Sequence, residues 1–220
     1  MVKKKIKVLL VDDHAVVRAG FKMLLATQDN IHVIGEADRG ESAIQQYEEL
    51  KPDIVIMDLS MPGIGGLETI KRIIQREERA RVLVFSVHDE SVFVNRAIQS
   101  GAKAYITKNS APEILLEAIE KVMSGEVYIE QGLLKQSAIQ SEDSIKLDHI
   151  IEQLTDREFD IFRLLAKGYS TQDIARQMCL SNKTIANYTT QIRKKLNAKT
   201  VREVVQLSML MDFSSPFLKE

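Results

Sequence analysis

At 220 residues, 45% of them hydrophobic and 28% charged, the chain is too apolar for a disordered protein and long enough for one large domain or two small ones. Lysine and arginine total 30 against 31 aspartates and glutamates, a formal net charge of -1 that excludes a uniformly basic protein. The balance hides two unlike parts. Residues 1–149 carry 19 basic and 23 acidic groups, and residues 150–220 carry 11 and 8, so the first suits a cation and the second a polyanion. The longest apolar runs, at 8–11 and 54–57, fall far short of the roughly 20 residues of a membrane span. Lys3, Lys4 and Lys5 are not followed by the long apolar stretch of a secretory signal. Cys179 is the single cysteine, which excludes an internal disulfide. The expected location is the cytoplasm, with no membrane partner.

In chain order, short β-branched runs at 6–11, 32–36, 54–57, 82–85 and 103–107 alternate with amphipathic stretches at 15–26, 41–50, 67–76, 91–99 and 112–123. In the last of these, Ile114, Leu115, Ala118, Ile119 and Val122 recur at helical spacing between charged residues. Five strand–helix pairs predict an α/β domain of flavodoxin-like order: a five-stranded parallel sheet, helices on both faces, right-handed crossovers. Its expected limits are 1–124. Gly125 ends the last helix, and the glutamine- and serine-rich residues 125–149 read as a linker with a short helix near 133–139.

From Leu154 the strand signal disappears. Thr155 and Glu158 form a capping box opening a helix that stops at Gly168. Thr171 is expected to cap a second helix to about 178, Ser181 a third to about 196, and a fourth covers about 201–211. The prediction is a small all-helical domain over 150–220. No internal repeat and no glycine-rich phosphate loop is present.

Chemistry concentrates at the strand ends. Asp12 and Asp13 follow the first strand and Asp58 the third, flanking the switch point of a 2-1-3-4-5 sheet, where ligands bind. Three converging carboxylates repel one another unless a hard cation lies between them. Mg2+ suits such a set, with the backbone carbonyl of Ser60 as a further ligand. Lys108, past the fifth strand, can neutralise an added phosphate, and Ser86, ending the fourth, can donate to a phosphoryl oxygen. A nucleophilic carboxylate, a metal, a cation and a hydroxyl are what in-line phosphoryl transfer asks of a protein. His14 is expected to start the first helix, and His88 to be a solvated loop residue.

VDDH at 11–14, MDLSMPGIGGLE at 57–68, Ser86 and AYITK at 104–108 resemble the receiver domain of two-component response regulators. The resemblance implies that Asp58 accepts phosphate from a sensor histidine kinase, that Asp12 and Asp13 hold Mg2+, and that Ser86 and Tyr105 form the switch pair. Asn109 departs from the proline many receivers have after the lysine, which touches only the local loop.

In the helical part, Ile174, Ala175, Met178, Leu180, Ile185, Ile192 and Leu196 give the spacing of a helix-turn-helix, whose second helix enters the major groove of double-stranded DNA. From Ser181 to Lys199 there are five basic residues and no acidic one. Asn182, Lys183, Thr184, Asn187, Tyr188, Gln191, Lys194 and Lys195 are the candidate contacts to base edges and phosphates. Met178, Cys179 and Met209 are read as packing residues.

LTDRE at 154–158, DIA at 173–175, LSNKTI at 180–185 and Lys195-Leu196 resemble the LuxR-type helix-turn-helix of NarL/FixJ response regulators. That implies a homodimer through the last helix, formed on phosphorylation. Ala186 stands where the family usually has a basic residue, and Thr171 where asparagine is frequent. SMPGIGGLE and the Ala-Pro after Lys108 look most like the GacA/UvrY branch. The expectation is therefore a transcriptional regulator switched by phosphate on Asp58, not an enzyme. An aspartyl-phosphate hydrolase would carry Asp-x-Asp, whereas Asp58 precedes Leu59-Ser60. A phosphorylation-independent DNA-binding or interaction protein is the alternative.

Overall fold

The computed structural model describes residues 5–133 and 151–209. Contacts divide the chain into two units, 1–134 and 135–220.

The first unit is a parallel sheet of β1 (Ile6–Val11), β2 (Ile31–Ala37), β3 (Ile54–Met57), β4 (Val82–Ser86), β5 (Ala104–Thr107) and β6 (Tyr128–Ile129). Between the first five lie α1 (Ala15–Ala26), α2 (Gly40–Leu50), α3 (Gly66–Arg76) and α4 (Ser91–Gln99), with α5 (Pro112–Met123) after β5. The order is β2-β1-β3-β4-β5-β6, every pairing parallel. Central strands are buried on both faces, which accounts for their unbroken apolar runs. Alternation sends Val8, Leu10, Ile54, Ile56, Leu83, Phe85 and Ile106 into one core with Leu115, Ile119 and Val122 of α5.

The sheet extends one strand beyond the five expected. Tyr128 and Ile129, in the stretch read as linker, pair with Ala104 and Tyr105. Two residues carry too little periodicity to register as a strand, and β5 supplies the template. The short helix expected at 133–139 falls, from 134 on, outside the described residues.

The second unit holds α6 (Asp156–Ala166), α7 (Thr171–Gln177), α8 (Asn182–Lys195) and α9 (Val201–Met209). Phe159, Phe162, Ile174, Ala175, Met178, Ile185, Ile192, Leu196 and Val204 are buried. The capping box at Thr155 and Glu158 is formed in both directions, and Ser181 caps α8 by accepting from the Thr184 N–H. The cap of α7 lies one residue earlier than expected: Ser170 accepts from the Asp173 N–H, which makes Thr171 the first helical residue. Cys179 does not pack. It is exposed and left-handed (φ 54°), because the turn between α7 and α8 needs that conformation to bring the Leu180 N–H to the Ala175 carbonyl.

Candidate functional site

The carboxylates meet because β1 and β3 are adjacent and in register, Val11 opposite Met57. The next residue on each strand is an aspartate. The Asp58 N–H donates to the Val11 carbonyl (2.8 Å), and the Asp12 N–H to that of Ala37 (3.1 Å). Asp12 and Asp58 are 4% and 2% exposed; Asp13 is more open. Gly66 opens α3 directly against this turn, where a Cβ would strike the Asp58 carbonyl and Leu59 Cα. Only glycine permits so close an approach.

Lys108 lies between the buried carboxylates, its Nζ 2.6 Å from Asp12 Oδ2 and 3.0 Å from Asp58 Oδ2. Burial pushes the Asp58 carboxyl above its ordinary value; Lys108 opposes this and Asp12 adds to it. Burial alone would lower Lys108, but the two carboxylates outweigh it and hold the ammonium above its usual range. Asp12 is fixed further: its Oδ1 accepts from the His14 N–H (2.8 Å), and its carbonyl from Arg18 (2.6 Å). His14 caps α1 without a side-chain bond to the helix; its ring Nδ1 sits 2.8 Å from Asp13 Oδ1.

One ligand atom each from Asp12, Asp13, His14 and Asp58 lies within 4.8 Å of the others. Both Asp58 oxygens are buried without an aligned hydrogen bond among the described residues. Crowded, under-satisfied hard oxygens are what a small divalent cation requires, so the donor set fits one.

Ser86 and Tyr105, the expected switch pair, are both buried. Ser86 ends β4 at 0% exposure, and its Oγ accepts from the His88 N–H at 3.3 Å. Tyr105 on β5 is also 0% exposed, and its hydroxyl donates to the His88 carbonyl at 2.8 Å. Burial pushes that hydroxyl far above its ordinary value, with Ser86 opposing and the carboxylates of Glu90, Asp58 and Asp89 adding, so it remains a neutral donor. Its ring is therefore turned inward.

His88 corrects the sequence reading. It is 2% exposed, stacked on Phe93 with ring centroids 3.9 Å apart, and its Nε2 lies 3.0 Å from Ser60 Oγ. It thus joins the loops after β3 and β4. A histidine two residues past a strand end carries no signal of this, because both partners come from other segments.

In the second unit α8 exposes Lys183, Asn187, Gln191 and Lys194, four residues at helical spacing that form one face. Asn182 is exposed beside them, whereas Thr184 and Tyr188 are half-buried. Lys195 faces the other way. Its Nζ donates to Glu158 Oε2 (2.6 Å) and to the Gln153 carbonyl (3.0 Å), which occupies the ammonium in holding α8 to the start of α6. Burial would raise the Glu158 carboxyl, but the bonds from Lys195 and Thr155 hold it below its ordinary value. Among the described residues no helix is long and apolar enough to cross a membrane.

Comparison with known proteins agrees with this anatomy. Residues 8–120 match the response regulator receiver domain, and 152–208 the luxR family of bacterial regulatory proteins. The transcriptional activator protein ExaE of Pseudomonas putida is 42% identical over 203 residues, 92% of this chain and 95% of that protein. The response regulator GacA of Pseudomonas aeruginosa is 37% identical over 204 residues, 93% and 95% of the two chains. RcsB of Salmonella enterica, solved bound to promoter P1flhDC with the phosphomimetic BeF3-, shares 24% identity at TM-score 0.68. It covers 93% of this chain and 98% of its own, a likeness of fold.

Proposed function

Since the chain belongs to the two-component response regulators with a LuxR-type DNA-binding domain, we propose that Asp58 is its phosphoacceptor and that phosphate there governs DNA binding. It is a transcription regulator, not an enzyme. The observation that carries the assignment is the buried Asp58 carboxylate, lacking an aligned hydrogen bond and 3.0 Å from the Lys108 ammonium. Such a group gains most from a new charge partner.

Mg2+ would be held by Asp12, Asp13 and Asp58 with the Ser60 carbonyl, and when bound would supply charge neutralisation at the reacting oxygens. The chain's own residues do the rest. Asp58 Oδ attacks phosphorus and takes the phosphoryl group from the phosphohistidine of a sensor histidine kinase, whose imidazole leaves. Lys108 exchanges part of its pairing with Asp12 for the new phosphoryl oxygens. Ser86 turns its hydroxyl to the phosphoryl group, and Tyr105 stays inward, bonded to the His88 carbonyl.

For DNA, the exposed face of α8 supplies Lys183, Asn187, Gln191 and Lys194, with Asn182, Thr184 and Tyr188 at its margin; Lys195 is a structural residue. RcsB, similar in fold, occurs as dimers bound to DNA. A phosphorylation-driven homodimer on two half-sites is the corresponding reading here. Pairing of β6 with β5 carries the receiver past the expected limit of 124, so its working limits are 1–134, with 150–220 for the DNA-binding domain, and the cytoplasm is the compartment. Incubation with a small phosphodonor and Mg2+ should add one phosphoryl group to Asp58, seen by intact-mass and peptide mass spectrometry. Phosphorylation of the Asp58→Ala variant to the same extent would refute the assignment.

A further inference from the structure

The side of the sheet beyond Lys108 holds a second polar cluster. Glu130 immediately follows β6. Its N–H donates to the carbonyl of Tyr105 at 3.0 Å. Its carboxylate accepts from the Thr107 N–H at 2.8 Å and from the Ser110 hydroxyl at 2.7 and 2.6 Å. Thr107 Oγ1 lies 2.8 Å from Ser110 Oγ, and the Ser110 N–H donates to the Thr107 carbonyl. A serine hydroxyl has one proton; with that given to the carboxylate, Thr107 must donate to Ser110. One carboxylate thus terminates a chain of donors on both sides of Lys108, whose own N–H donates to the Ser86 carbonyl at 2.7 Å.

We propose that Glu130 is a positioning residue coupling the loop that carries Lys108 to β6, so that movement of that loop on phosphorylation is passed to the last strand of the sheet. Thr107, Lys108 and Ser110 lie on one turn closed by the Thr107–Ser110 bonds, and a charge-assisted network of this kind moves as a unit. Without it, β6 is joined to β5 by two residues of pairing. The coupling rests on the reading of Asp58 and Lys108 above.

Hydrogen exchange with mass spectrometry on the full-length chain, with and without Mg2+ and saturating beryllofluoride, tests it. In the wild type, protection rises at 57–62 and exchange changes at both 104–110 and 128–133. In Glu130→Ala the response at 57–62 persists, while that at 128–133 falls at least about threefold. Glu130→Gln, which keeps one oxygen that can accept from both the Thr107 N–H and the Ser110 hydroxyl but removes the charge and the second acceptor, loses about half of it and serves where alanine unfolds the sheet edge. A merely structural glutamate would raise exchange equally in both states and leave the difference unchanged. Wild-type-sized responses at 128–133 in both variants would overturn the proposal, as would a wild type whose 128–133 segment stays silent while 57–62 responds. Silence at 57–62 in the wild type would instead refute Asp58 as the acceptor.

Discussion

The two units use charge in opposite ways. Around Asp58 the charges are buried, crowded and few: two carboxylates below 5% exposure share one ammonium within 3.0 Å. Along α8 the polar face is exposed, with Lys183, Asn187, Gln191 and Lys194 about one turn apart and a charge at each end, in a helix whose core side needs only Ile185 and Ile192. The first arrangement stores unfavourable electrostatics that a cation and a phosphoryl group can relieve. The second costs the fold little, because solvated charges need no partner until a polyanion arrives. A switch is reasonably built on the first kind of site, where one added charge changes the balance of a packed neighbourhood. A reading head is built on the second, where side chains must be free to meet another molecule.

Glu158 is where this contrast is sharpest within one helix pair, because it ties Lys195 of the same basic run into a half-buried ion pair, in a unit that also buries Asp160 and Arg163. Glu158→Ala removes a capping box and the Lys195 pair together and should destabilise the second unit by about 2–3 kcal/mol in urea titrations. The sign of the pH dependence follows from its lowered carboxyl. The stabilisation is present above the ordinary value of 4.5 and is lost as pH falls through the lower folded value, so wild type and variant should converge in acid.

Asp58 should behave in the opposite sense. Its carboxyl is raised in the folded state, so its contribution is complete below the ordinary value of 3.8 and is lost as pH rises through the raised one. In Mg2+-free buffer at neutral pH, Asp58→Asn should therefore be more stable than wild type, with the gap closing in acid. Equal stabilities at neutral pH would show that the pocket stores no strain.

A pair of lysines separates the two uses of charge within one helix. Lys183→Ala should weaken DNA binding at all sequences, by about 1 kcal/mol, and reduce the salt slope by about one while leaving the melting temperature unchanged. Lys195→Ala should lower the melting temperature first. The smallest effect is expected at the turn: Cys179→Gly relieves a left-handed backbone in a β-carbon-bearing residue and should stabilise the second unit by at most ~1 kcal/mol, read by thermal melts.

What the sequence disclosed follows from how local each determinant is. Asp12, Asp13, Asp58, Ser86 and Lys108 are legible because strand ends are readable from hydrophobic runs and a parallel sheet aligns those ends. Tyr105 is legible as part of a motif, but its inward turn depends on the His88 carbonyl across β4. His88 reads from the sequence as a solvated loop residue because its burial is made by Phe93 and by Ser60, 28 residues earlier. Glu130 was hidden in a stretch that looked like linker, where two paired residues leave no period to detect. Lys195 sits in the same basic run as Lys194; only the position of Glu158 across the bundle turns one into a structural residue and leaves the other exposed.

The central claim is that the charge state of the buried pocket controls the exposed helix. The direct measurement is selection of DNA fragments and their affinity with and without a small phosphodonor and Mg2+, beside Asp58→Ala. Tighter, sequence-specific binding by phosphorylated wild type alone is the predicted result. Equal binding by both proteins in both conditions would leave the helix-turn-helix in place and remove phosphate on Asp58 as its control.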